Sequence, residues 1–185
     1  MTLEAYAKAR KDFRAQVIAH KKNRTLHVGD HVTLIFEDEL TIRYQVQEML
    51  RVEKIFEEAA IRDEIDAYNP LIPDGRNLKA TMMIEYEDEN ERRGALVRLK
   101  GVESKTWVRV EGCPKVFAIA DEDLERETDE KTSSVHFLRF ELTEEMAAAL
   151  KYGLSFAVGI DHPHYRAEID PVPAAVRAAL LGDLT

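Results

Sequence analysis

A single cysteine in 185 residues removes several chemistries at once. One thiol forms no internal disulfide, no Cys-rich zinc site and no Cys-based ligand set for an iron–sulfur cluster, so no intrinsic cluster is expected. Cys113 stands in Glu111-Gly112-Cys113-Pro114, a turn sequence, and reads as an incidental turn residue. Also missing is any apolar run of the roughly 18 residues needed to span a bilayer. The start, Met1 to Lys8, lacks the charged opening and apolar stretch of a signal peptide. The expected location is the cytoplasm, away from the membrane. Phosphate-cradling GxxxxGK[ST], dinucleotide GxGxxG, the GxSxG elbow, HExxH and the Glu-x-x-His pairs of di-iron bundles are all absent.

What is present is ordinary globular material. Hydrophobic residues make up 45% and charged ones 33%, enough apolar side chain for a real core. The length is that of one domain, so residues 1–185 are expected to fold as a single unit. The net charge of −9 is unevenly spread. Residues 1–24 hold seven basic side chains against Glu4 and Asp12, which makes that segment +5 and leaves −14 on the other 161 residues. A basic helix packed on or extending from an acidic body favours docking, on its own chain, a second copy or a partner. Nucleic acid is disfavoured because the overall field repels phosphate.

Periodicity supplies the elements. Leu3, Tyr6, Phe13 and Val17 mark an amphipathic helix, and Gly29-Asp30 reads as a turn between two short strands. One long helix is predicted from Asp38 to Ala60. Its main apolar stripe carries Ile42, Val46, Leu50 and Phe56, with Glu53 inside the stripe and Tyr44, Glu48 and Arg51 on another face. Two prolines and Asp74-Gly75 then form a rigid connector. Residues 78–86 and 134–142 alternate as strands, Thr106–Glu111 and Val116–Ala120 read as a hairpin, and Leu154–Ile160 is another strand. Thr143 is an N-cap for a helix stopped at Gly153, and a last helix opens after Pro171. The expected class is α+β, a mainly antiparallel sheet of about five or six strands covered by helices.

Three polar groups are candidates for chemistry, each with a structural alternative. Asp161-His162-Pro163-His164-Tyr165 follows a strand and could supply metal ligands, or simply turn the chain. His136 lies on the apolar side of its strand, as a ligand or as a hydrogen-bonded core residue. Its neighbours Arg139 and Glu141 could pair across the sheet with Glu85 or Arg109. Tyr44, Glu48, Arg51 and Glu53, with Arg139 of the strand, could bind a ligand, and a carboxylate in an apolar setting could act as general acid or base. The structural alternative pairs Glu53 with an arginine. If His136, Asp161 and His162 share a site with Glu48 or Glu53, a first-row transition metal suits that donor set.

The blocks Gln45–Glu57, Tyr68–Gly75, Lys131–Leu142 and Gly159–Tyr165 together resemble a bacterial family known as domain of unknown function 3501. The family's motif histidines match His20, His136 and His162. The resemblance implies partners: genes of this kind stand beside those for a rubrerythrin-like di-iron protein and an iron–sulfur oxidoreductase. It thereby implies a role in redox, iron or peroxide-stress handling and transfers no catalytic residue. The leading expectation is a non-catalytic accessory or binding protein, with a homo-oligomer allowed. The alternatives are a metal-dependent or small-molecule enzyme with a His/carboxylate site, and a regulatory or nucleic-acid-binding module.

Overall fold

The alternation in the two strongest strand patterns becomes the centre of a sheet. In the computed structural model, β3 (Asn77–Ile84) pairs antiparallel with β7 (Val135–Glu141), placing Ala80 opposite Leu138 and Met82 opposite His136. On β3 every second residue from Leu78 to Ile84 is buried and the ones between are half-buried, the signature of a sheet packed hard on one face. Adding β1 (Thr25–His27), β2 (Val32–Glu37) and β6 (Ile119–Ala120) gives the order β1-β2-β3-β7-β6. The structure describes residues 1–123 and 125–185.

The α+β class holds, but the strands form two antiparallel sheets instead of one. The second has the order β5-β4-β8-β9, from β4 (Thr106–Val110), β5 (Val116–Phe117), β8 (Phe156–His162) and β9 (Tyr165–Ile169). The predicted Thr106–Ala120 hairpin forms only as far as Phe117. Past buried Ala118 the chain leaves β4 and pairs with β7 in the other sheet. Two-residue strands carry no readable alternation, which is why this crossing is invisible in the sequence. The two sheets share one core. Leu34, Phe36, Met82 and Phe140 from the first meet Val108, Phe156, Val158 and Ile160 from the second. Helices α4 (Glu89–Arg98), α5 (Glu144–Lys151) and α6 (Ala174–Leu181) bury Leu96, Leu150 and Leu180 in the same core. Thr143 caps α5 as expected, its hydroxyl accepting the Met146 amide.

The predicted long helix is two helices. α2 (Glu39–Val52) opens on a capping box in which Asp38 accepts the Thr41 amide and Thr41 reaches back to the Asp38 amide. It closes on a Schellman turn: Lys54 takes a left-handed φ of 56°, and the Ile55 amide donates to the Leu50 carbonyl at 2.9 Å. The chain then re-enters helix as α3 (Glu58–Tyr68). Lys54 pays the steric cost that glycine normally avoids at this position, so the sequence carries no stop signal there. Glu53 is thus an exposed helix cap and not part of a buried stripe.

A 19-residue helix, α1 (Leu3–Lys21), lies along α2 and buries only Tyr6 and Val17. Tyr6 meets Phe13 edge-on and Phe13 leans on Tyr44. Ile42, Val46 and Leu50 of α2 form a separate small core with Leu3, Ile55, Ile61 and Ile72, while α3 buries no residue at all. No described helix is long and apolar enough to cross a membrane.

Candidate functional site

The Tyr44–Glu48–Arg51 face turns inward, onto α1. Glu48 accepts a bidentate pair from Arg10 at 2.8 and 2.9 Å and the Tyr6 hydroxyl at 2.5 Å, with Arg51 at 3.4 Å. The Arg10 hydrogen bonds outweigh burial and, with Tyr6 and Arg51, hold the Glu48 carboxyl down at about 2. The same contact, after burial itself, pushes the Tyr6 phenol up. A carboxylate so fully engaged is an acceptor that clamps two helices, not a proton shuttle. Glu53, exposed beyond the helix end, stands apart from this clamp.

Arg139 reaches a cavity but not a free one. It lines a pocket of about 340 Å³ with Tyr68, Lys79, Arg126 and Phe137, on the side of the first sheet facing α3. Its guanidinium is taken by both oxygens of Glu122, each at 2.8 Å, and by Glu141. The expected cross-sheet partners are elsewhere. Glu85 accepts from Thr33, and Arg109 of the second sheet pairs with Asp170 at 2.6 Å. Reading two sheets as one misplaces Arg109, and register misplaces Glu85, since Arg139 stands opposite Lys79. Burial, then the Arg139 charge, lowers the Lys79 pKa, and its ammonium donates to the Pro70 carbonyl.

Of the three motif histidines, His136 and His162 occupy different sheets. His136 is fully buried, with Nδ1 2.6 Å from Asp121 and Nε2 3.0 Å from both Thr132 Oγ1 and the Ser133 carbonyl. Glu103 Oε2 is 3.9 Å from the same Nε2, and burial pushes the Glu103 carboxyl up. His162 donates from Nε2 to the Lys100 carbonyl and accepts the His164 amide at Nδ1, so neither ring nitrogen offers a free lone pair. Asp161 points to the other side of its strand and pairs with Lys115 at 2.7 Å, which lowers its pKa. The segment taken for a strand-end loop is a tight turn, since His162 pairs directly with Tyr165 across β8 and β9. Among the described residues no three His, Cys, Asp or Glu side chains are grouped to hold a metal ion. The convergence of His136, His162 and Glu48 or Glu53 is not formed.

Sequence reasoning missed a different cluster, at the end of α1. Arg24, counted among the basic residues of the N-terminal segment, is 2% exposed. Its guanidinium donates to the carbonyls of Phe36, Glu37 and Ala179 and to the Asp183 carboxylate, and lies 3.4 Å from Asp38. Asp38 in turn sits 2.5 Å from His20 Nε2. Burial opposes its ionisation, but the Thr41 amide, Arg24 and His20 together hold its carboxyl below the ordinary range. At Asp183 burial prevails over Arg24 and pushes the carboxyl up to about 6. The cluster borders a cleft of about 630 Å³ and ties α1, α2 and α6 together. The Asp38–Thr41 capping box was a readable signal for one member. Nothing local marks Arg24 or Asp183, which are 159 positions apart.

α1 also presents an uncommitted side. Lys8, Lys11, Ala15, Ile18 and Lys22 repeat at helical spacing, all are exposed, and Ile18 keeps 50% of its surface. They lie opposite the Tyr6–Arg10–Val17 side that meets α2.

The profile described as "Protein of unknown function (DUF3501)" matches residues 1–184. The chain belongs to the DUF3501 family. A crystal structure at 1.90 Å of a protein from Burkholderia pseudomallei K96243, described as a novel protein of unknown function, has 57% identity and a TM-score of 0.95. The similarity covers 100% of this chain and 96% of that one. No curated protein matches. DUF3501 membership accords with the four sequence blocks, but their residues serve different ends. Gln45–Glu57 supplies the helix clamp and the Lys54 break, while Lys131–Leu142 supplies the buried histidine.

Proposed function

We propose that this DUF3501 protein is a non-catalytic accessory protein that docks an acidic protein surface on the outer side of α1. One observation carries the reading: Lys8, Lys11 and Lys22 flank half-exposed Ile18 along one side of a helix that the rest of the chain leaves uncovered. A cationic rim around an apolar anchor suits a protein face with carboxylates around an apolar pocket. Nucleic acid fits less well, because the remaining body carries −14 and repels a polyphosphate. The polar groups read as candidate active-site members are engaged within the chain, which favours binding over catalysis. By family resemblance the rubrerythrin-like and iron–sulfur proteins are the partners proposed, which would place the protein in redox or iron handling.

The test is titration of the purified rubrerythrin-like and iron–sulfur partners with the wild-type chain and with a Lys8→Glu/Lys11→Glu/Lys22→Glu variant. Saturable binding that weakens at least tenfold in the variant, and weakens with salt, supports the reading. Binding unaffected by the three changes, or binding only to duplex DNA, overturns it. A second reading, an enzyme, is favoured by the His20–Asp38 pair beside the 630 Å³ cleft, an arrangement suited to general base chemistry. A small-molecule substrate screen read against His20→Gln tests it.

A further inference from the structure

A groove runs along the side of α2 not taken by the Glu48 clamp. It has a volume of about 770 Å³, within the range typical of small-molecule sites. Its walls are aliphatic: Ile42, Val46 and Leu50 from α2, Ile61 and Ile65 from α3, and Leu3 from the start of α1. Among the described residues no aromatic ring lines it, so nothing there stacks on a nucleobase or a flavin. Arg43, at the rim, is already paired with Glu39, and Glu4 stands close by. A phosphate or other strong anion therefore finds no unpaired arginine or lysine among the described residues that line the groove.

Of the polar side chains lining it, Thr2 and Asn69 are exposed, and Gln47 is the buried one, 7% exposed. Its Nε2 donates to the Met1 carbonyl at 2.9 Å, which fixes the amide orientation and directs Oε1 the other way. Among the described residues Oε1 has no hydrogen-bond partner and is shielded from solvent. A buried acceptor left unsatisfied costs ~1–3 kcal/mol, and a position in a small aliphatic core would ordinarily be filled by leucine. Gln47 Oε1 is thus an unsatisfied buried acceptor on a residue that lines the groove. α3 forms one wall and buries no residue.

We infer that the groove binds a small aliphatic molecule carrying one O–H or N–H donor, the chain lying over Val46, Ile61 and Ile65 and the donor meeting Gln47 Oε1. The site is separate from the outer side of α1, and either can fail without the other. Calorimetric titration with octanol and octanamide, against methyl heptanoate as an isosteric ligand without a donor, is the experiment. The alcohol and amide are expected to bind saturably, at least fivefold tighter than the ester. Gln47→Leu should abolish that preference while leaving ester binding unchanged. Ile65→Glu, on a helix that buries nothing, should remove binding of all three without unfolding the protein. Absence of saturable binding, an ester equal to the alcohol in the wild type, or binding insensitive to Ile65→Glu each overturns the inference.

Discussion

The two-sheet core and the α1–α3 helical layer differ in how tightly they are packed: the sheets hold most of the buried side chains, and α3 buries none. In the core, His136 and His162 have both ring nitrogens in contact with chain polar groups, and Asn77 donates to Glu141. In the helical layer, Gln47 keeps an orphan oxygen, the lysines of α1 face outward, and Phe56 is 71% exposed. The core keeps buried polar atoms without a hydrogen-bond partner as well, Glu103 Oε2, Trp107 Nε1 and Arg126 Nε among the described residues, so orphaned atoms alone do not separate the two regions. A layer that leaves acceptors, cations and apolar side chains uncommitted is where binding belongs. The cluster around Arg24 stands at the border, fastening the layer to the core through α6.

The sharpest way to break this division is to remove the fastener. Arg24→Ala leaves the Asp183 carboxylate without its counter-charge and Asp38 with His20 alone, a change that typically costs ~3–5 kcal/mol. Denaturant unfolding is expected to show that loss, with α1 exchanging its amides well before the sheets. A loss below ~1 kcal/mol would mean that the helical layer is held by Glu48 and the small core alone.

Next comes a contrast in tolerance to substitution. A Cβ on Gly159 would stand 2.4 Å from Trp107 Cζ2 and 2.9 Å from the Ala167 carbonyl, and Trp107 is fully buried. Gly159→Ala should therefore destabilise by ~1–3 kcal/mol through overpacking. Phe56→Ser, beyond the Schellman turn, should stay within about 0.5 kcal/mol of wild type. Equal effects at the two sites, measured by thermal or denaturant midpoints, would erase the distinction between a packed core and a permissive layer.

How much of this was legible follows the same boundary. Where one side of an element is buried, the sequence shows it, as in the alternation of Leu78–Ile84 and the apolar spacing of Ile42, Val46 and Leu50. Where a contact depends on distant elements, it does not. Glu48 was recognisable as a polar residue on its own face of a helix, but its partners Arg10 and Tyr6 are 38 and 42 positions away. The Lys54 break was hidden because a left-handed residue is usually signalled by glycine, and here it is a lysine. His136 and His162 looked alike as candidate ligands. Only the sheet assignment of β7 and β8 separates them, and that is set by long-range pairings, β7 with β3 and β8 with β4, which alternation within one strand does not reveal.

The smallest expected effect is the most specific, because the two regions should answer acid with opposite signs. Glu48 is held at about 2 when folded, against about 4.3 in an unfolded chain. Its contribution is present above that unfolded value and lost as pH falls toward 2. Asp183 is raised to about 6, against about 3.9 unfolded. Its contribution is full below the unfolded value and lost as pH rises through 6. Going from neutral pH to about 4, Asp183 should therefore add stability at the border between layer and core. Further acidification should loosen α1 by protonating Glu48 and releasing Arg10. Unfolding midpoints for wild type, Asp183→Asn and Glu48→Gln across this range separate the two. Asp183→Asn should flatten the rise on the neutral side, and Glu48→Gln should remove part of the fall on the acid side, with amide exchange in α1 reporting the latter. If neither substitution changes its own limb of the profile, these carboxylates do not link the helical layer to pH.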